Sequence, residues 1–243
     1  MRLCAITDRR LLPGTHESGR LSTAEGDALV ALAAEWAALG VEFIQLREKD
    51  LGARELTELA QAMMAALRDS SAGHSPSAGR PRLLINAGAA GAAEAARSAG
   101  AAGIHLPGRW RAEQVGMARI AGCVSVGCHS VGEIAVARAA GADMALLSPI
   151  FVTESHPKAP PLGLEMLATA ARTAGPMPVF ALGGVDATNA ASCIAAGAAG
   201  AAGIRTFLSG RWMANAALDA RVGNSQIGDT QIGDTQIDPT TAR

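Results

Sequence analysis

The 243-residue chain is expected to fold as a single (β/α)₈ TIM barrel, and three observations predict it. Its length suits one domain of this fold, which takes about 250 residues. Eight short apolar runs alternate with helical stretches along it. Helices also end repeatedly on one phrase: Leu39-Gly40-Val41, Ala99-Gly100-Ala101, Ala140-Gly141-Ala142 and Ala196-Gly197-Ala198. A glycine just past a helix supplies the left-handed residue that turns the chain into the next strand.

The strand candidates are residues 3–7, 41–47, 82–86, 102–106, 123–127, 143–148, 178–182 and 200–205. Between them lie helix candidates at 23–39, 52–68, 89–99, 111–120, 130–140, 163–174, 187–196 and 206–220. Thr23 is placed to cap the first helix, and Ser130 with Glu133 reads as a capping box for the fifth. The strands are near-continuous apolar runs, so both of their faces must be covered, as in a parallel sheet. An eight-unit count favours closure, with an open doubly wound sheet as the alternative. Residues 1–220 are assigned to the barrel, with a polar Ser/Gly/Pro insertion at 69–81. The pentapeptide repeat after it, within residues 221–243, is too poor in apolar side chains for a core and reads as a disordered tail.

Hydrophobic residues make up 49% of the chain and aromatics 3%, with no tyrosine, so the core is expected to be aliphatic and alanine-rich rather than built on rings. A net charge of −1 excludes the electrostatic footprint of a nucleic-acid or anionic-membrane binder. Cys4, Cys123, Cys128 and Cys193 are spread singly, which suits reduced core thiols rather than a zinc or redox pair. Met1 runs directly into a strand without a signal-peptide pattern, and no apolar run is long enough for a membrane span. A cytoplasmic protein is expected.

In this fold chemistry gathers where the strands end. The second strand ends Gln45-Leu46-Arg47-Glu48-Lys49, and alternation puts Gln45, Arg47 and Lys49 on one face, as donors for a phosphate or diphosphate. A merely solvated strand end is the alternative. The seventh strand runs into Gly183-Gly184, and the eighth unit reads Ala202-Gly203-Ile204-Arg205. Glycines let backbone N–H groups approach an oxyanion, and loops seven and eight hold phosphate in many such barrels. The fifth strand ends Cys128-His129-Ser130, and His129 suits proton transfer near neutral pH, against the blander reading of a structural histidine. The loop after the sixth strand carries Thr153, Ser155, His156 and Lys158, and either closes over a ligand or is plain surface.

Taken in order, these segments resemble the thiamine phosphate synthase and thiazole tautomerase (TenI-like) superfamily over roughly residues 3–212. The resemblance is carried by Ala5-Ile6-Thr7-Asp8-Arg9, Gln45-x-Arg47-x-Lys49, Ile85-Asn86, Gly103-Ile104-His105-Leu106 and Cys128-His129-Ser130. Gly141-Ala142-Asp143, Ser148-Pro149-Ile150-Phe151-x-Thr153, Ala181-x-Gly183-Gly184-Val185 and Ala196-Gly197-Ala198 complete it. It implies a phosphorylated thiazole as small-molecule partner, no nucleic acid or membrane, and allows a homodimer. It also implies substrate-binding roles for Gln45, Arg47, Lys49, Asn86, Ser130, Thr153, Ser155 and Lys158, and phosphate-binding roles for Gly183, Gly184, Gly203 and Arg205.

The chain departs from the synthase pattern at informative places. Asn86 is followed by Ala87-Gly88 where synthases carry an aspartate, and the stretch after the fourth strand reads Pro107-Gly108-Arg109-Trp110 where they carry another. Those aspartates are the family's magnesium ligands. Arg205 stands in place of a serine, and His156 in place of a lysine, with Lys158 as the nearest substitute. Leu106-Pro107 and His129 match the tautomerase relatives. The resemblance therefore implies first a thiazole phosphate tautomerase, with His129 as general acid/base and no cofactor or metal. The alternatives are a magnesium-dependent thiamine phosphate synthase and a non-catalytic barrel that binds a thiazole phosphate.

Overall fold

A computed structural model of the protein describes residues 1–14, 16–70, 81–154, 157–210 and 212. The strands are β1 (Arg2–Ile6), β2 (Phe43–Leu46), β3 (Arg82–Asn86), β4 (Gly103–Leu106), β5 (Cys123–Cys128), β6 (Met144–Leu147), β7 (Val179–Ala181) and β8 (Gly200–Gly203). Each precedes its helix: α1 (Thr23–Ala38), α2 (Ala53–Ser70), α3 (Ala92–Ala99), α4 (Ala112–Ala118), α5 (Val131–Ala139), α6 (Gly163–Ala174), α7 (Ala190–Ala195) and α8 (Arg205–Leu208). The strands pair in sequence order, all parallel, and β8 returns to β1 in the register Arg2↔Gly200 to Ala5↔Gly203. That last pairing closes the sheet and removes the open-sheet alternative. The structure is the single (β/α)₈ barrel expected.

Strand alternation sorts the side chains into two apolar bodies. Ala5, Ile44, Leu46 and Ile85 face outward into a layer shared with Ala33, Ala60, Ala96, Ala137 and Ala170 of the helices. Cys4, Ile6, Phe43, Leu84, Met144, Leu146, Phe180 and Ala202 fill the barrel itself. The outer layer is alanine-rich as composition suggests. The interior corrects that expectation, because Phe43 and Phe180 meet edge-to-face at 5.7 Å across the barrel. Few as the aromatic side chains are, two of them fill the barrel interior, where smaller side chains at the same positions would leave voids.

Local signals moved by a few residues. Ser22, not Thr23, caps α1, in a capping box with Glu25. Gly40, Gly100, Gly141 and Gly197 all have positive φ, between 68° and 95°, as the repeated phrase requires. The second strand starts at Phe43 rather than residue 41, and the eighth stops at Gly203, so Arg205 opens α8 instead of ending a strand. Asp69 and Ser70, assigned to the insertion, are the last turn of α2, where Ser70 Oγ donates to the Ala66 carbonyl at 2.9 Å. Residues 71–80 of the insertion and residues 221–243 lie outside the described residues. Most of the 206–220 helix does as well, although Trp212 is buried and stacks on Phe207 at 5.1 Å.

Candidate active site

The C-terminal ends of the strands open into a cavity of about 830 Å³. Its floor is polar. Gln45 Oε1 accepts from Asn86 Nδ2 at 3.0 Å, and Asn86 Oδ1 accepts from the Gly88 N–H at 2.9 Å. Both ends of the Asn86 amide are thereby engaged. Gln45 is buried, and its Nε2 has no hydrogen-bond partner among the described residues, so a donor stands ready on a cavity wall. His105 completes the floor, with Nδ1 2.9 Å from Ser125 Oγ. Burial, then the charges of Arg47 and Lys49, push the His105 imidazole down to about 3, so it is neutral near pH 7.

Cations stand above this floor. Arg47 pairs with Asp8 at 3.1 Å, and Asp8 is gripped from its other side by Arg10 at 2.6 Å. Burial pushes the Asp8 carboxyl up, but Arg10 and Arg47 outweigh it and hold it below the usual range. Asp8 thus fixes where Arg47 points. Beneath them Arg9 is buried with Glu48 at 3.3 Å and Asp50 at 2.7 Å, tying the end of β1 to the segment after β2. Lys49 has its ammonium pKa lowered by burial and then by Arg47 and Arg10. Such a site favours an anion.

On the opposite wall, His129 Nδ1 lies 2.8 Å from the Ser148 carbonyl. A carbonyl can only accept, so Nδ1 carries a proton, and in the neutral ring Nε2 is the nitrogen left to accept one. Gly108 faces that nitrogen so closely that a Cβ there would stand 2.6 Å from it. The His129 N–H donates to Glu133 at 2.7 Å, and the Ser130 hydroxyl accepts the Glu133 N–H at 3.2 Å. The expected capping box is thus shifted: Glu133 reaches back to residue 129 rather than to the cap itself.

The Gly183-Gly184 turn borders the same cavity as His129. Gly183 (φ 89°) and Gly184 (φ 66°) lie against the loop after β6, where added Cβ atoms would come 2.8 Å from Pro149 Cα and 2.4 Å from the Val152 carbonyl. Only glycine fits that approach. Backbone bonds from Ile150 N–H to Leu182 O and from Phe151 N–H to Gly183 O, both 2.9 Å, fasten the loop to the turn. Arg205 beside it pairs loosely with Glu154 at 3.4 Å.

Of the residues singled out from sequence, Gln45, Arg47, Lys49, Asn86, His129, Thr153, Gly183, Gly184, Gly203 and Arg205 line one cavity. Ser130 is not among the lining residues; its hydroxyl oxygen accepts the Glu133 N–H as the cap of α5. Lys158 is exposed and off the cavity wall, and Ser155 lies outside the described residues. Among the lining residues missed as site residues are His105 and Arg109. His105 faces inward by alternation on β4, a signal the sequence did carry. Arg109 has φ 70°, the sole positive value of a non-glycine among the described residues, and no sequence signal announces it. That conformation costs an L residue about 1–2 kcal/mol.

Magnesium needs several hard oxygen ligands in octahedral array. The ends of β3 and β4 offer an engaged amide, Gly88, Gly108 and Arg109, with no carboxylate. Glu154 and Asp186 line the cavity, but Glu154 pairs with Arg205 and Asp186 accepts the N–H and hydroxyl of Thr188. No cluster of three or more His, Cys, Asp or Glu suited to a metal occurs among the described residues. This donor set does not fit a protein-held magnesium ion.

Fold and pocket together define a parallel α/β barrel with a cation-lined cavity at its C-terminal face. The family model described as thiamine monophosphate synthase matches residues 19–207, and the chain belongs to that family. A relative from Geobacter sulfurreducens is 37% identical over 213 residues, spanning 85% of this chain and 86% of its own. The thiamine-phosphate synthase of Roseiflexus sp. is 39% identical, over 70% of this chain and 67% of its own. The structure of thiamine phosphate pyrophosphorylase from Pyrococcus furiosus shares the fold, with a TM-score of 0.69 at 21% identity, covering 94% of this chain and 97% of that one. No helix among the described residues is long and apolar enough to cross a membrane.

Proposed function

We propose that the chain is a cytoplasmic enzyme of thiamine biosynthesis acting on a phosphorylated thiazole. Its barrel occupies residues 1–220, with an insertion that starts after α2 at residue 71 and runs to 81, and 221–243 as a tail. The names of its relatives favour the synthase reaction over the tautomerisation that the sequence motifs favoured, and the synthase takes precedence here. That reaction joins hydroxymethylpyrimidine diphosphate to thiazole phosphate: the thiazole nitrogen gives its lone pair to a new bond with the methylene carbon on the pyrimidine, the C–O bond from that carbon to diphosphate breaks, and its electron pair leaves on the diphosphate oxygen. The observation that carries this reading is the charge of the pocket. Arg47, Lys49, Arg109 and Arg205 face Glu154 and Asp186 around one cavity, an excess of cations suited to two phosphorylated substrates. In this reading Gly183, Gly184 and Arg205 hold the thiazole phosphate. The Gln45 amide orients the second ring, and Arg47 with Lys49 takes up the charge on the departing diphosphate.

The tautomerase remains as a second reading because His129 supports it. In the neutral ring its Nε2 is the acceptor nitrogen, on the wall of the cavity that the phosphate turn also borders, and it is suited to moving a proton between two carbons of a thiazole carboxylate phosphate. Paired turnover assays separate the two, each run with magnesium and with EDTA. Diphosphate release from the synthase substrates, retained in His129→Asn, is the expected result. Conversion of the non-aromatic thiazole with no diphosphate released, falling at least a hundredfold in His129→Asn, would reverse the order. Phosphate binding without either turnover would leave the non-catalytic barrel.

A further inference from the structure

We infer that Arg109, together with Lys49, supplies the positive charge that a protein-held divalent ion would otherwise bring to a diphosphate. The inference rests on the synthase reading and deepens it. A diphosphate carries several negative charges, and a site that binds it balances them with metal ions or fixed cations. At the ends of β3 and β4 only the second kind is present. The stem of Lys49 lies over Gly88, where an added Cβ would come 3.5 Å from Lys49 Cγ, so this lysine stands directly above the end of β3. Arg109 follows the end of β4 by three residues and lines the cavity.

The backbone points the same way. A strained conformation persists only where the surrounding structure imposes it, and such residues gather at ligand sites. Arg109 holds φ 70° between Pro107-Gly108 and Trp110, whose indole N–H is pinned to the Gly127 carbonyl at 2.8 Å. A glycine would adopt this turn at no cost, so a long cation placed there calls for a reason beyond the turn. Its charge is also uncommitted. Arg47 is paired with Asp8 and Arg205 with Glu154, whereas Arg109 has no ion-pair or hydrogen-bond partner among the described residues. Guanidinium matches phosphate oxygens in bidentate fashion, which suits it to the task. The unpartnered Gln45 Nε2 on the floor below independently marks the cavity as built for a ligand.

The test is binding of inorganic pyrophosphate to the full chain in EDTA, measured by titration calorimetry. The wild type is expected to bind, with added Mg²⁺ changing the affinity less than threefold. Arg109→Gln should weaken pyrophosphate at least tenfold while altering inorganic phosphate less than twofold, and Arg109→Lys should recover part of the loss. Arg109→Gly removes the charge and relieves the turn, so it should bind pyrophosphate as poorly while melting no lower than wild type. Pyrophosphate binding that requires Mg²⁺, or is untouched in both Arg109→Gln and Arg109→Gly, would overturn the inference. Failure of the reaction looks different: EDTA-resistant, Arg109-dependent pyrophosphate binding without synthase turnover sinks the reaction and leaves this role standing.

Discussion

The two mouths of the barrel use their cations in different ways. At the N-terminal mouth, the Arg2 guanidinium lies 5.3 Å from the ring centroids of both Phe43 and Phe180 and binds Glu42 at 2.7 Å. Arg82 covers Phe43 from 5.1 Å. Both arginines there rest on protein partners. At the C-terminal mouth, Lys49 is exposed beside the like charges of Arg47 and Arg10, and Arg109 stands on a strained turn with no ion-pair or hydrogen-bond partner among the described residues. At the lower end both cations are answered within the protein, whereas the upper end combines paired cations, Arg47 and Arg205, with ones that have no ion pair among the described residues, Lys49 and Arg109. The barrel walls are common to both ends, so the division lies in the loops and in the side chains that plug the interior.

The sharpest way to break this contrast is to remove the plug. Phe180→Ala would empty a fully buried ring position whose neighbours, Phe43 and Met144 among them, cannot collapse across a closed sheet. Urea denaturation should register a loss of about 3–5 kcal/mol. Inorganic phosphate affinity of the folded protein should stay within twofold of wild type. A tenfold weaker phosphate site at unchanged stability would mean the two ends are not separable.

An acid titration sharpens the contrast from the other side, because a polar floor makes the upper end pH-sensitive. His105 titrates near 3 in the folded protein, through burial first and then Arg47 and Lys49, against 6.5 for an unperturbed imidazole. Between these values the unfolded chain binds a proton that the folded protein refuses. The stability held in neutral His105 is therefore complete above pH 6.5 and drains as the pH falls toward 3, by at most about 1.4 kcal/mol per unit. Glu25, pushed up by burial but pulled down to about 2 by His16 and Ser22, acts in the same sense only below its ordinary 4.5. Hence His105→Gln should flatten the stability profile most clearly between pH 6.5 and 4.5. A slope unchanged in that window would show that the upper floor does not govern acid sensitivity.

How much of this was legible in the sequence follows from the range of each interaction. The Gly40, Gly100, Gly141 and Gly197 stops are local, so repetition alone exposed the architecture. Gln45 was legible from strand alternation, whereas Arg47 and Lys49 lie past the end of β2 at Leu46 and reach the same cavity from the following segment. Ser130 was legible as a helix start, and its hydroxyl oxygen accepts the Glu133 N–H there, while its place off the cavity wall was not readable from the sequence. Lys158 misled because its distance along the chain from Thr153 says nothing about which way a loop turns. The Asp8–Arg47 pair, 39 residues apart in sequence, needed the strands in register before it could be seen. The phenylalanine plug was hidden for the same reason, since composition counts rings without locating them.

The smallest expected effect belongs to Arg2→Ala, and its smallness is informative. Arg2 and Glu42 are each about a third exposed, at 38% and 32%, so water screens their attraction, and such pairs contribute at most about 1 kcal/mol. The ring contacts add a comparable increment at a half-exposed site, about 0.5–1 kcal/mol. Chemical denaturation should therefore find a loss near 1 kcal/mol, reduced in high salt as the ion pair is screened while the ring packing stays. A loss well above 2 kcal/mol that vanishes in salt would make the lower mouth an electrostatic device like the upper one. The N-terminal end would then owe its closure to charge rather than to Phe43 and Phe180, and the distinction between the two mouths would lose its physical basis.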